Sequence, residues 1–238
     1  MQLERILQSQ GFGTRKACRA LIRHGAVEVA GRPCDDPFAE FDPEGLAFRV
    51  AGADWRYRPK AYLMLNKPSG YECSRSPRHH PGVLSLLPAP LLQRGVQPVG
   101  RLDEDTTGLL LLSDDGEFIH RLISPKHKVP KVYEVATKHE IDDAQLAALR
   151  GGVQLHDSPE PVAALACEAI GAHSLSLTLG EGRYHQVKRM VAAAGNRVVA
   201  LRRVRVGGLA LPADLAEGEW RWLEAADLER LWQGGLAA

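Results

Sequence analysis

Read from the N-terminus, apolar residues first recur at Leu3, Ile6 and Leu7, a helical spacing. Gly11-Phe12-Gly13 interrupts it, and Thr14 stands where an N-cap side chain would open a second helix. That helix is predicted over residues 15–24, with Gly25 as its left-handed stop. Ala17, Cys18, Leu21 and Ile22 give it an apolar side. Arg15, Arg19 and Arg23 fall at i, i+4 and i+8 on a shared face, with Lys16 beside them. Val27-Glu28-Val29, the turn Ala30-Gly31 and Arg32-Pro33-Cys34 predict a hairpin. Residues 51–59 mix Gly, Asp, Arg and Pro without a period and read as a linker.

A second set of elements begins with a strand over residues 61–65, the turn Asn66-Lys67-Pro68-Ser69-Gly70 and a polar loop over residues 74–81. The segment Gly100-Arg101-Leu102-Asp103-Glu104-Asp105-Thr106-Thr107-Gly108 is a turn that opens into the apolar run Leu109–Leu112, the signature of a buried strand. Asp114-Asp115-Gly116 leads into a helix carrying Phe118, Ile119 and Leu122. Residues 131–135 alternate as a strand, and residues 141–150 form a helix whose acidic start, Asp142 and Asp143, suits its dipole. Leu175, Leu177 and Leu179 alternate with Ser174, Ser176 and Thr178, which predicts a half-buried strand. A turn at residues 180–184 precedes a helix over residues 185–194, closed by Gly195-Asn196. Residues 198–206 return as a strand, with Arg203 and Arg205 assigned to one face. A helix over residues 225–231 ends the pattern. Strands and helices intermix without a βαβ rhythm, so the fold class is α+β, built on a mixed, largely antiparallel sheet flanked by helices.

At 238 residues the chain is long enough for two domains, placed at residues 1–57 and 60–238. The formal net charge is only +1, but the charge is segregated. From Gly182 to Ala213 there is no acid, while Arg183, Lys188, Arg189, Arg197, Arg202, Arg203 and Arg205 all fall there. No acid lies between Arg5 and Ala26 either, so the stripe of Arg15, Lys16, Arg19 and Arg23 is unbalanced. Segregated cations of this kind attract polyanions. Cys18, Cys34, Cys73 and Cys167 are scattered, which fits neither a zinc site nor a disulfide framework and suits a reducing compartment. His79 and His80 are adjacent in a polar loop and are read as loop residues, not as metal ligands. Glu4 and Arg5 in the first turn argue against a signal peptide, and no apolar run approaches the ~20 residues of a membrane span. The expectation is a cytoplasmic monomer, without a membrane partner and without a metal.

Asp103 is the residue best placed for chemistry: a carboxylate on a stiff turn at the edge of the core, with Arg101 beside it. Taken alone, such an Asp also serves simply as a turn former. Four motifs together decide for chemistry: Asn66-Lys67-Pro68-Ser69-Gly70, Gly100-Arg101-Leu102-Asp103, Lys131-Val132-Tyr133 and Gly182-Arg183-Tyr184-His185-Gln186-Val187-Lys188-Arg189-Met190. Their order resembles that of the pseudouridine synthases, in particular the branch acting on bacterial small-subunit ribosomal RNA. The resemblance runs from Met1 to about Leu231, and the first unit resembles the S4-type RNA-binding domain of that branch. It implies that Asp103 is the catalytic aspartate, Tyr133 the aromatic residue against the target base and Lys188 the cation paired with Asp103. Arg101, Arg183, His185, Gln186 and Arg189 are implied as RNA contacts, beside Arg15, Lys16, Arg19 and Arg23 of the first unit. Residues 128–131 depart from the polar run expected before the tyrosine.

The chemistry fits these residue types. Pseudouridine formation breaks the N1–C1′ bond, turns the base and rejoins it through C5, so it calls for no redox cofactor and no activated water. It calls for an ionised carboxylate, and a nearby ammonium favours that form when burial opposes it. Three roles fit Asp103: attack at C1′, attack at C6, or proton removal. The target base must be extruded and stacked on an aromatic ring, which offsets the few kcal/mol of unpairing. The resemblance implies that the partner is small-subunit (16S) rRNA. Two alternatives stand beside this reading, a large-subunit (23S) rRNA synthase of the same superfamily and an rRNA-binding assembly factor without chemistry. A glycosidase built on Asp103 and Asp105 fits poorly, because residues i and i+2 of a tight turn rarely flank a bond from both sides.

Overall fold

The computed structural model describes residues 1–233 and divides into two compact units. The first comprises residues 1–61 together with residues 87–97 and 113–115. Its helices are α1 (Leu3–Ser9) and α2 (Arg15–Arg23), and its antiparallel sheet has the order β2-β1-β3-β4, from β1 (Val27–Val29), β2 (Arg32–Pro33), β3 (Ala47–Val50) and β4 (Ala53–Arg56). Thr14 caps α2 by accepting from the Ala17 N–H. Leu3, Ile6 and Leu7 pack with Cys18, Ile22, Val27, Val29, Phe48 and Val50 in one apolar core. Trp55 joins that core, its ring edge-on to Phe12 at 5.1 Å.

Residues 53–56 therefore correct the linker reading. They pair with β3 across the turn Ala51-Gly52, where both residues have positive φ. Only Trp55 gives the strand an apolar anchor, which is too little to produce a visible period. This unit also takes in two later segments of the chain, one of which carries α3 (Ala89–Gln93). Arg94 holds them by reaching Asp114 at 2.7 Å, the Gln10 side-chain Oε1 at 2.9 Å and the Arg58 backbone carbonyl at 3.1 Å. Gly11 makes the approach possible: φ is +88°, and a Cβ there would sit 2.0 Å from the Pro90 oxygen.

The second unit is built on a mixed sheet of nine strands, β5 (Tyr62–Lys67), β6 (Gln97–Pro98), β7 (Thr107–Ser113), β8 (Lys131–Thr137), β9 (Ala166–Gly171), β10 (Ser174–Leu179), β11 (Val198–Val206), β12 (Leu209–Ala210) and β13 (Trp220–Trp222). The main order is β13-β5-β7-β11-β8-β10-β9. β11 runs parallel to β7 and antiparallel to β8, so the sheet changes direction at its centre. β7 lies inside the sheet and is buried along nearly its whole length, which is why it reads as an unbroken apolar run. Helices α4 (Gly116–Ile123), α5 (Asp143–Gly151), α6 (Gln186–Ala193) and α7 (Ala225–Gln233) complete the unit. Phe118, Ile119 and Leu122 of α4 pack with Met64, Leu109, Leu111, Val206 and Leu231.

Two further expectations are corrected in this unit. The strands β9 and β13 were not marked by the pattern; β9 is a mostly exposed strand at the sheet's end, and β13 is only three residues long. Arg203 and Arg205 do not share a face either. Register shifts between them against β8, so Arg203 turns into the core while Arg205 stays exposed.

Lys67 ends β5 with no solvent exposure at all. Its ammonium donates to the carbonyls of Pro68 at 3.0 Å, Glu104 at 2.9 Å and Thr106 at 2.9 Å. Burial holds its pKa below the ordinary lysine range, although Cys73, Glu104, Asp105 and Asp103 pull the other way. Removing the ammonium takes a donor from three carbonyls, of which Glu104 O keeps the Gly70 N–H. Lys67→Met should therefore lower the unfolding free energy by about 2–4 kcal/mol, read as a shift in urea midpoint with an unchanged slope; an unshifted midpoint would show that these bonds contribute nothing net.

Candidate active site

The turn at residues 103–106 is braced from inside the protein. Lys67 reaches two of its carbonyls, the Gly70 N–H donates to Glu104 O at 2.9 Å, and the Thr106 N–H donates back to Asp103 O at 3.1 Å. Gly108 follows at φ +99°, and a Cβ there would lie 2.3 Å from the Arg203 oxygen, so β7 and β11 pack at a distance only glycine permits. The side chains of Asp103 and Asp105 are left on the outer side, 26% and 54% exposed.

Lys188 and His185 meet them there. The Lys188 ammonium lies 3.3 Å from Asp103 Oδ2, and His185 Nε2 lies 3.4 Å from Asp103 Oδ1. The expected Asp103–Lys188 pair is thus present, but Lys188 is shared. Its shorter bonds, 2.7 and 2.9 Å, go to the two carboxylate oxygens of Asp105. Burial works against the ammonium, yet hydrogen bonds and charge from Asp105 and Asp103 outweigh it and hold its pKa above the ordinary lysine value. Asp105 entered the sequence reading only as a weak glycosidase partner; its role as the second carboxylate on Lys188 follows from a spatial contact 83 residues apart.

A cavity is lined by Gly100 and Arg101, of the segment leading to Asp103, together with Leu122, Lys131, Tyr133, Gly182, Arg203 and Val206. Tyr133 is buried on β8, between Leu177 of β10 and Arg203 of β11. Arg203 Nε donates to Leu109 O at 2.8 Å. Burial, with the Arg203 charge adding to it, lowers the Lys131 pKa to about 8. Lys131 and Arg203 were not singled out as site residues in the sequence. Lys131 reads as a strand's first residue, and which face of β11 is buried, the one Arg203 shares with Leu201, is set only by the elements packed against it.

The remaining candidates of this unit are engaged within the protein. Gln186 is buried: its side-chain oxygen accepts from the Arg183 N–H at 2.8 Å and its amide donates to Glu181 at 3.1 Å. The expectation of a direct RNA contact from Gln186 is corrected on that ground, since both ends of its amide close the turn ahead of α6. Arg183 bonds Glu181 at 2.9 Å and Ser158 at 2.9 Å, and Arg189 bonds Asp157 at 2.6 Å. Glu72 accepts backbone N–H bonds from Arg78, His79 and His80, which hold its carboxyl below the usual range and shape the 74–81 loop. In the first unit, Arg15, Lys16 and Arg23 of α2 are exposed. Arg19 differs, because it pairs with both carboxylate oxygens of the buried Glu4, and that bond holds Glu4 below the usual carboxylate range.

The site thus holds a braced carboxylate shared with an ammonium, two residues along the chain from Arg101 of a cavity with an aromatic wall. Residues 61–193 match the RNA pseudouridylate synthase family and residues 1–38 match the S4 domain. The chain belongs to the RNA pseudouridylate synthase family, with an N-terminal S4 domain, and is an isomerase. It is 39% identical over 229 residues to the ribosomal small subunit pseudouridine synthase A of Escherichia coli (strain K12), covering 96% of this chain and 98% of that protein. It is 38% identical over 234 residues to an uncharacterized RNA pseudouridine synthase, YtzG, of Bacillus subtilis (strain 168), covering 97% and 98%. A crystal structure of a pseudouridylate synthase superposes with a TM-score of 0.69 at 35% identity, over 97% of this chain and 99% of that one. Among the described residues no helix is long and apolar enough to cross a membrane.

The Lys188 pKa carries a stability prediction. A group whose folded pKa is raised contributes fully below its unfolded value, here 10.5, and loses that contribution as pH rises through the folded value. The difference in urea midpoint between the wild type and Lys188→Met should be flat between about pH 6 and 9 and shrink above roughly 10.5. A difference that already fades near neutrality would contradict the ion pairs.

Proposed function

We propose that this protein isomerises a specific uridine of small-subunit (16S) ribosomal RNA to pseudouridine, with Asp103 as the nucleophile or base. The observation that carries the reading is Asp103 itself: a partly exposed carboxylate on a turn braced by a buried lysine, within 3.3 Å of the Lys188 ammonium. Pseudouridine synthase membership supplies the reaction class, and the full-length similarity to small-subunit enzymes supplies the RNA class.

In this reading the extruded uridine enters the cavity beside Asp103, and its base packs on Tyr133 while Arg101 faces the strand at the mouth. The N1–C1′ bond breaks, the base turns inside the closed wall, and C5 bonds to C1′. The C5 proton leaves and N1 regains a proton, so the product is an isomer of the substrate and no co-reactant is consumed. Lys188 and His185 keep the Asp103 carboxylate oriented. Lys131 and Arg203 give the cavity a cationic wall that favours a base carrying negative charge in transit. The exposed α2 residues Arg15, Lys16 and Arg23 hold RNA phosphates, and Arg19 supports that face through Glu4. The enzyme acts as a monomer in the cytoplasm, where ribosomal RNA is assembled.

Tritium release from small-subunit rRNA labelled at uridine C5 tests the proposal. The wild type should release one tritium per rRNA, and Asp103→Asn should lower the rate by at least about a thousandfold. Undiminished release from that variant would remove Asp103 from the chemistry, and release from large-subunit rRNA alone would replace the substrate. For the first unit, Lys16→Ala with Arg23→Ala should weaken rRNA binding and reduce the slope of log Kd against log salt by about one for each phosphate no longer neutralised. An unchanged slope would take α2 out of the RNA interface.

A further inference from the structure

Tyr184 is 70% exposed, more than any other large apolar or aromatic side chain among the described residues. An exposed aromatic residue standing alone calls for no explanation. Tyr184 does not stand alone. Its ring is stacked on the His185 imidazole, with centroids 3.8 Å apart and planes 18° from parallel. His185 adopts φ 49° and ψ 31°, the left-handed region that non-glycine residues rarely visit. This backbone turn starts α6, and the same imidazole lies 3.4 Å from Asp103. Carboxylate, imidazole and phenol ring thus form a short ladder leading from the reacting centre to solvent.

The chemistry around the ladder narrows what it serves. Lys188, Arg183 and Arg189 are each already paired with a carboxylate, Asp105, Glu181 and Asp157. What this rim offers an incoming strand is a flat aromatic surface, pre-stacked and low in conformational freedom, more than free positive charge. Tyr133 cannot supply that surface, since it is buried in the cavity wall. Extruding a uridine leaves its neighbours in the strand without a stacking partner.

We propose that the Tyr184–His185 stack is a platform for an unpaired base adjacent to the uridine being isomerised, and so a positioning site for the RNA strand outside the catalytic cavity. The inference rests on the reading of Asp103 as the centre of uridine chemistry. It assigns the binding to the ring face and not to the phenolic hydroxyl.

The test compares wild type, Tyr184→Phe, Tyr184→Leu and Tyr184→Ala on small-subunit rRNA labelled at uridine C5. All should fold, because the ring is exposed. The Phe variant should stay within about twofold of wild type, while Leu and Ala raise KM about tenfold, the range of one lost base stack. The single-turnover rate at saturating enzyme should change less than about threefold, and the salt slope of binding should not move, since every phosphate keeps its partner. Wild-type KM in Tyr184→Ala, a Phe variant as impaired as Ala, or an effect confined to the single-turnover rate would each overturn the platform. Tritium release undiminished in Asp103→Asn would overturn the Asp103 reading and the platform with it; an active wild type whose Ala variant keeps full affinity would overturn the platform alone.

Discussion

The site depends on one buried ammonium. Lys67 has no contact with solvent, and it donates to three carbonyls. A cation in such surroundings is costly to move, because any displacement strands both the charge and the carbonyls. The turn carrying Asp103 and Asp105 is therefore clamped through its backbone from the core side. Its side chains remain outward, where a substrate can meet them. Rigidity and accessibility, which usually compete in a loop, are separated here onto the two sides of one turn.

Charge is distributed with the same division. Around Asp103 most cations are paired with acids, Lys188 with Asp103 and Asp105, Arg183 with Glu181 and Arg189 with Asp157, while Arg101 is exposed. Within the cavity the balance is different. Lys131 and Arg203 line the same space as Tyr133, and burial with their mutual repulsion lowers Lys131 to about 8. A nearly neutral rim with aromatic surface and a cationic interior suit an RNA base that must leave its stack and turn within a closed space.

Much of this was legible in order along the chain. Thr14 announced its helix through the capping chemistry of its own side chain and accepts from the Ala17 N–H, while Asp142, legible only as part of an acidic start, proves to cap α5 by accepting from the Gln145 N–H. The run through Leu109–Leu112 announced a strand buried on both faces, and the alternation at residues 174–179 announced one buried on a single face. The carboxylate at 103 and the cation at 188 were legible as a pair only through the resemblance of the four motifs to a known family. Asp105 as the closer partner of Lys188, Arg203 as a cavity residue and the brace at Lys67 were not, because each is defined by contacts between distant segments.

Local propensity and period are properties of a few neighbouring residues, so the sequence by itself determined where most helices and strands run and which residue types the reaction had at hand. The tertiary structure decided which of those residues share a site. A bulge turned Arg205 outward against the simple alternation, the buried Glu4 engaged Arg19 of the basic stripe, and residues 87–97 returned to the first unit through Arg94 and Gly11. The physical reason is common to all three. Burial, backbone clearance and ion pairing depend on what the rest of the chain places alongside, and no window along the sequence contains that information.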